Sequence, residues 1–488
     1  MGRIGERGDT LTTICWFRRD LRVADNPALT AAAAAGPVVA LFVVDEVLRG
    51  QGAATRWRME GALEALAADL ATRGGALVVR TGDAAEVVAQ VAAEVHADEV
   101  HANDWPEPSR IASDRRVATR LTGDGRRLIL HCGHLLVPPH EIRTGSGGVY
   151  KVYTPFARAV RRHGVPAPLP VPKRDWAGPP ASAPLPDMAA DMNRGADVLA
   201  RHAPPAGEAA ALKRLDAFLG RTEGYTQRDR PDRPDATSGL SDALAVGEVS
   251  PRTIWAAAER HLHDPARAQA AEKFLAELTW RDFAWHLLTE WPTLPVKEWR
   301  PEFAAFPFRR DKADETAWTR AVTGEPLVDA GLREMFVTGR MHNRVRLAVA
   351  SYLTKHLLID WRVGLDWFAD ALIDWDPASN AMNWQWVAGS GPDASPYFRV
   401  FNPATQAAKF DPKGDYRRRW LWGWDGSDSD DARDYFEAVP RSWGMESGDG
   451  YPDAPVVDLA QGRRRALDAL ATMRQAQPDV DADSDAEE

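Results

Sequence analysis

With 488 residues, of which 44% are hydrophobic and 27% charged, the chain is long enough for two domains and too balanced in composition to be disordered through most of its length. A formal net charge of −10 excludes a generally basic nucleic-acid coat, so any contact with nucleic acid requires a local positive patch. The only cysteines, Cys15 and Cys132, exclude a disulfide framework and a cysteine-ligated zinc or iron–sulfur centre. They fit a reducing cytoplasm, and the longest apolar run, 31–44, is broken by Gly36 and Pro37, so neither a membrane span nor a signal segment is expected.

In chain order, short Val-rich runs at 13–17, 38–44, 76–79, 99–102 and 128–131 alternate with helical patterns at 27–35, 55–73, 84–95 and 111–122. Strands separated by helices of this length predict a parallel sheet with right-handed crossovers, hence an α/β, Rossmann-like domain over 12–135. Proline and glycine then thicken, which predicts a connector over 136–208 with one short helix at 154–163. From 209 to 475 the apolar spacing is helical throughout, clearest at 267–289, 332–336, 344–358 and 366–372, so the second domain is expected to be all-α. The last residues, 476–488, are acidic and expected to be disordered.

The chain lacks a Walker loop, a GxGxxG after a strand, an HExxH and a GxSxG, and its histidines lack companion ligands, so no metal is expected. Thirteen of the 19 tryptophans lie between Trp280 and Trp424. Indole N–H groups need partners when buried, so such regional enrichment points to the wall of a large planar redox cofactor rather than an ordinary core. The run Thr237, Ser238, Gly239, Leu240, Ser241 opens a helical stretch; its hydroxyls can hold a diphosphate or serve only as an N-cap and loop. Glu277, Trp280 and Arg281 fall at i, i+3 and i+4: either a helical ion pair or a carboxylate beside an indole suited to a stacked base. Asn343 with Arg340, Arg344 and Arg346 concentrates positive charge in two turns, and Lys409 and Arg417–Arg419 extend it.

FRRDLRVADNPAL at 17–29, TSGLS at 237–241, AELTWRDF at 276–283, MHNRVR at 341–346, LLIDWR at 357–362, and DWDPASNAMNWQWVAG with YFRVFNP at the C-terminal side occur together and in order. This pattern resembles the photolyase/cryptochrome family, most closely its class I cyclobutane pyrimidine dimer photolyases, over residues 12 to 425. The resemblance implies an N-terminal antenna domain, a helical domain enclosing a U-shaped FAD, and repair of UV-damaged DNA by light-driven electron transfer to a dimer taken out of the base stack, performed by a cytoplasmic monomer. It implies that Tyr225, Thr237, Ser238, Leu240, Ser241, Trp280, Arg281, Asn343, Arg346, Asp374, Asp376 and Asn380 line the flavin, with Arg346 paired to Asp374, Asp376 at the pyrimidine edge and Asn380 at N5. It implies catalytic roles for Glu277, Trp280, Asn343 and Trp386 at the lesion, phosphate contacts by Arg344, Arg399 and Lys409, and inward electron transfer through Trp361 and Trp384.

Several positions depart from the family pattern. Phe308 falls where an outer tryptophan is usual, Arg340 where Trp is common, Glu325 where Tyr is common and Leu347 where Met is frequent; Gly239 and Asp242 interrupt the usual TSRLSP. Ser109–Arg110 replaces the Asn–Glu of a folate-antenna site, so a deazaflavin antenna, or none, is expected before a folate. The alternative reading is a cryptochrome-type blue-light receptor using the same flavin pocket. Repair of (6-4) photoproducts, with His342 as the candidate histidine, is disfavoured by Trp280 and Asn380.

Overall fold

The structure, a computed structural model, describes residues 12–173, 175–190, 192, 195–393 and 398–475. The acidic tail expected at 476–488 lies outside them. Five strands, β1 (Thr13–Phe17), β2 (Val38–Val44), β3 (Leu77–Thr81), β4 (Glu99–Asn103) and β5 (Arg127–His131), form one parallel sheet in the order β3-β2-β1-β4-β5. β1 and β2 are buried on both faces, which is why they read as unbroken apolar runs rather than alternating ones. Helices Pro27–Ala35, Ala53–Thr72, Ala84–Glu94 and Pro108–Gly123 cover the sheet, within a residue or three of the predicted bounds.

The connector carries the predicted helix, at Tyr153–His163, and a second one at Ala196–His202 that its short, Pro-flanked sequence had hidden. Beyond Glu208 the described residues are helical or irregular. The run expected to be one helix over 344–358 is instead an α-helix, Asn343–Ser351, followed by a π-turn, Tyr352–His356, with Leu358 at φ 60 ending it. Packing decides this: His356 abuts Gly462 of the last helix, Leu459–Gln475, closely enough that a Cβ at 462 would lie 2.9 Å from the His356 Cα.

The arginines of the FRRDLR segment tie the two domains together. Arg19 donates to the carbonyls of Ala245 and Trp375 (both 2.8 Å), and Arg22 to that of Gly247 (3.1 Å). Gly247, at φ 76, approaches so closely that a Cβ would sit 2.2 Å from the Arg19 carbonyl oxygen, so only glycine fits this contact. Arg58, fully buried, pairs with Asp242 at 2.9 Å and with Glu248, fastening helix Ala53–Thr72 to the start of the helical domain. No described helix is long and apolar enough to cross a membrane.

Candidate functional site

Two helices set the frame of the site. Ala268–Glu290 places Glu277 and Arg281 one turn apart, and Pro377–Ala388 begins with Asp376 as its N-cap and Pro377 at its first position. Asp376 accepts from Ser379 N (2.8 Å) and from Trp285 Nε1 (2.9 Å), so its carboxylate is locked by its own helix and by the neighbouring one. Between these helices, the segment 237–241 and helix Asn343–Ser351 lies a cavity of about 640 Å³.

Its wall includes Tyr225, Thr237, Ser238, Leu240, Ser241, Glu277, Arg281, Asn343, Arg346, Asp374 and Asp376. A smaller cavity of about 170 Å³ shares Asn343, Arg346, Asp374 and Asp376 with it and adds Asn380 and Trp384. Residues separated by up to 159 positions in the chain, Tyr225 and Trp384, are therefore brought to one place. Trp280 and Trp386 lie outside both cavities. Trp280 stacks face to face on Tyr153 (centroids 3.6 Å, 5°), and Trp386 donates to the Asp393 carbonyl (3.1 Å).

Arg346 and Asp374 form the expected pair: one guanidinium nitrogen reaches both carboxylate oxygens (2.7 and 3.0 Å), and Arg346 Nε donates to the Met341 carbonyl (2.8 Å). The i, i+4 pairing of Glu277 with Arg281 does not form. Glu277 accepts from Arg228 (3.1 Å), whereas Arg281 donates to the His134 carbonyl (3.0 Å) and lies against the His134 ring. Burial, and then Arg281, hold the His134 imidazole far below its ordinary pKa, so it is a neutral neighbour. Although the Glu277 side chain is 39% exposed to the open cavity, the protein around it raises its pKa, with Arg228 opposing.

Asn380 commits its Nδ2 to the Leu365 carbonyl (3.0 Å), which leaves Oδ1 as the free acceptor. Trp384 is wedged between Phe368 (5.0 Å, edge-on) and the fully buried Trp318 (6.3 Å, edge-on). Trp361 is fully buried, with Arg362 over its ring at 4.5 Å. Phe308 packs on Phe306 at 4.8 Å. On the rim, Arg344 pairs with Asp229 (2.8 Å) and covers Phe410, Lys409 lies over the same ring, and Arg399 approaches Phe401.

Sequence reasoning missed four participants. Arg228 holds Glu277, and Tyr153 covers Trp280 from a helix assigned to the connector. Glu334 lines the large cavity and accepts from Tyr416 Oη (2.6 Å), its pKa raised by burial. Lys355, buried in the π-turn, donates to the Ala388 carbonyl (2.5 Å) beneath the Phe398 ring, and burial pushes its ammonium far below the usual range. It caps the helix that carries Asn380 and Trp384. A lysine inside an apolar helical pattern was the one available signal.

A cavity of this size between an anion-competent hydroxyl loop and a paired Arg–Asp defines a site for a large dinucleotide. Residues 13–173 match the family described as DNA photolyase, and residues 274–472 match the one described as FAD binding domain of DNA photolyase. The chain is 42% identical to a deoxyribodipyrimidine photo-lyase of Agrobacterium fabrum, covering 95% of this chain and 98% of that one. It is 31% identical to Cryptochrome-1 of Arabidopsis thaliana, covering 97% of this chain and 72% of that one. A crystal structure of a bacterial class III photolyase from Agrobacterium tumefaciens superposes with a TM-score of 0.86 at 41% identity, covering 97% of this chain and all of that one. The chain belongs to the photolyase/cryptochrome family and binds FAD. The likeness to class I members expected from the motifs is not confirmed, since this structural relative is a class III protein.

Proposed function

We infer that this protein is a light-driven DNA photolyase that splits cyclobutane pyrimidine dimers. The observation that carries this reading is the single cavity in which Glu277 and Asn343 meet the hydroxyl loop 237–241, the Arg346–Asp374 pair and Asp376. When bound, reduced FAD supplies a photoexcited electron to the dimer and takes it back after the ring has opened. The chain's own part is to bind, orient and exclude water. Thr237, Ser238 and Ser241 present hydroxyls to the diphosphate. Arg346, fixed by Asp374, and Asp376, fixed by its cap and by Trp285, face the isoalloxazine. Asn380 Oδ1 would accept a hydrogen bond from the flavin N5–H.

Glu277 and Asn343 bind the flipped dimer, with Trp280 and Trp386 against its bases. Arg344, Arg399 and Lys409 make the local positive rim that an acidic protein needs for phosphate contacts, so binding weakens as salt rises. We place the protein in the cytoplasm as a monomer. Illumination of the purified yellow protein with dimer-containing DNA restores intact thymines. A flavin-loaded protein without light-dependent repair overturns the enzyme in favour of the photoreceptor.

Glu277→Ala keeps FAD and slows ring splitting by about tenfold, the scale of one hydrogen bond to a charged group. The raised pKa fixes the sign of its pH dependence. The protonated carboxyl, a donor to the dimer, persists above the ordinary carboxylate range and is lost as pH rises through the folded value. Repair by the native protein therefore declines with rising pH, while Glu277→Gln stays flat; parallel profiles remove the role. Phe308→Trp accelerates flavin photoreduction if the chain through Trp384 and Trp361 lacks an outer member. An unchanged rate, combined with a slower one in Trp318→Phe, shows that electrons leave through the Trp384–Trp318 contact instead.

A further inference from the structure

Three of the departures from the family pattern meet at one end of the large cavity. Arg340 follows Gly339, which is left-handed at φ 67, and its backbone is clamped by Thr338: Arg340 N donates to Thr338 Oγ1 (3.0 Å), which donates in turn to the Arg340 carbonyl (3.1 Å). Its guanidinium lines the cavity beside Thr237, Ser238, Gly239 and Ser241, and makes no hydrogen bond or ion pair with the described residues.

Opposite it, Gly239 adopts φ 62, and a Cβ there would lie 3.4 Å from Arg340 Nη2 and 3.9 Å from Nη1. Those are ordinary contact distances, so the loop and the guanidinium touch without clash, and it is the left-handed backbone that favours glycine at 239. Beneath the loop, Asp242 is fully buried and bonded to Arg58 and Arg214 (both 2.9 Å), and Arg214 also holds the Gly239 carbonyl (2.7 Å). Burial raises the Asp242 pKa, but Arg340 first, then Arg58 and Arg214, outweigh it and keep the carboxylate ionised. Arg58 and Arg214 are bonded to Asp242 and Glu248, whereas Arg340 acts on Asp242 through space and keeps its guanidinium donors without a bonded partner among the described residues, at the cavity wall.

We propose that Arg340 is the cationic ligand of the FAD diphosphate in this protein, with the left-handed Gly239 turning the loop against it and the buried Asp242 network anchoring that loop. The inference rests on the reading of this cavity as the FAD site. An unpaired, half-buried guanidinium beside three hydroxyls is suited to a phosphate, which accepts from its fork, and unsuited to an apolar or cationic group.

The test uses protein stripped of flavin and titrated with FAD and with riboflavin, which lacks phosphate. Arg340→Gln weakens FAD binding about tenfold to a hundredfold, as for one lost charge-assisted hydrogen bond, and leaves riboflavin binding unchanged. Arg340→Lys retains part of the affinity, since it keeps the charge and loses the fork. The stripped Arg340→Gln protein stays folded, its melting temperature lowered only by the lost through-space attraction to Asp242, which Arg58 and Arg214 still hold. Equal losses for FAD and riboflavin, or no loss for either, overturn the assignment. If the stripped native chain takes up neither flavin, the FAD reading of the cavity itself falls.

Discussion

Asp374→Ala yields protein that is largely free of flavin. Arg346 is held at the cavity wall by both oxygens of Asp374, whose side chain is only 4% exposed, and by the Met341 carbonyl. Removing the carboxylate leaves a partly buried guanidinium without its counter-charge, a loss on the scale of about 3–5 kcal/mol for broken buried pairs. Part of that falls on folding and part on the dinucleotide, because the wall that FAD meets is no longer preorganised. We expect FAD affinity to drop by about two orders of magnitude or more. Asp374→Asn, which keeps the shape and loses the charge, falls between the two. The flavin-to-protein absorbance ratio of the purified variants reads this directly, and a native ratio in Asp374→Ala removes the pair from the binding site.

Gly364→Ala destabilises the protein, against the usual expectation for a helix interior. In helix Trp361–Ala371 the exchange ordinarily gains about 0.5–1 kcal/mol from propensity. Here the new Cβ would lie 2.0 Å from Cη2 of Trp384 and 2.5 Å from two further ring carbons. That indole cannot yield, being held edge-on between Phe368 and Trp318. Overpacking of this kind costs about 1–3 kcal/mol and occasionally more, which outweighs the propensity gain. The melting temperature falls and flavin photoreduction slows, since Trp384 is displaced. A higher melting temperature with an unmoved Trp384 shows that the helices can separate without cost.

Whether the expected site residues converge was decided in space. The i, i+4 spacing of Glu277 and Arg281 offered an ion pair, but each side chain found a partner far away in sequence, Arg228 and His134. Local spacing supplies a few tenths of a kcal/mol, about 0.3–0.5, and any tertiary contact of normal strength overrides it. The predicted helix over 344–358 failed for the same reason: its C-terminal part became a π-turn to meet the last helix. Trp280 was placed against a ligand by motif, yet one of its faces is covered by Tyr153, a contact across more than a hundred residues that no local pattern encodes.

The sequence by itself determined the parallel sheet, the helical second domain, the regional concentration of indoles and the set of polar residues able to serve a dinucleotide, because periodicity and residue chemistry are local properties. Only the tertiary structure decided which of those residues share a cavity, that Arg340 lines it without a hydrogen bond or ion pair to the described residues, and that Lys355 caps the helix bearing Asn380 and Trp384. Charge compensation and packing are settled between segments hundreds of residues apart, where a side chain's role depends on what the rest of the chain brings beside it.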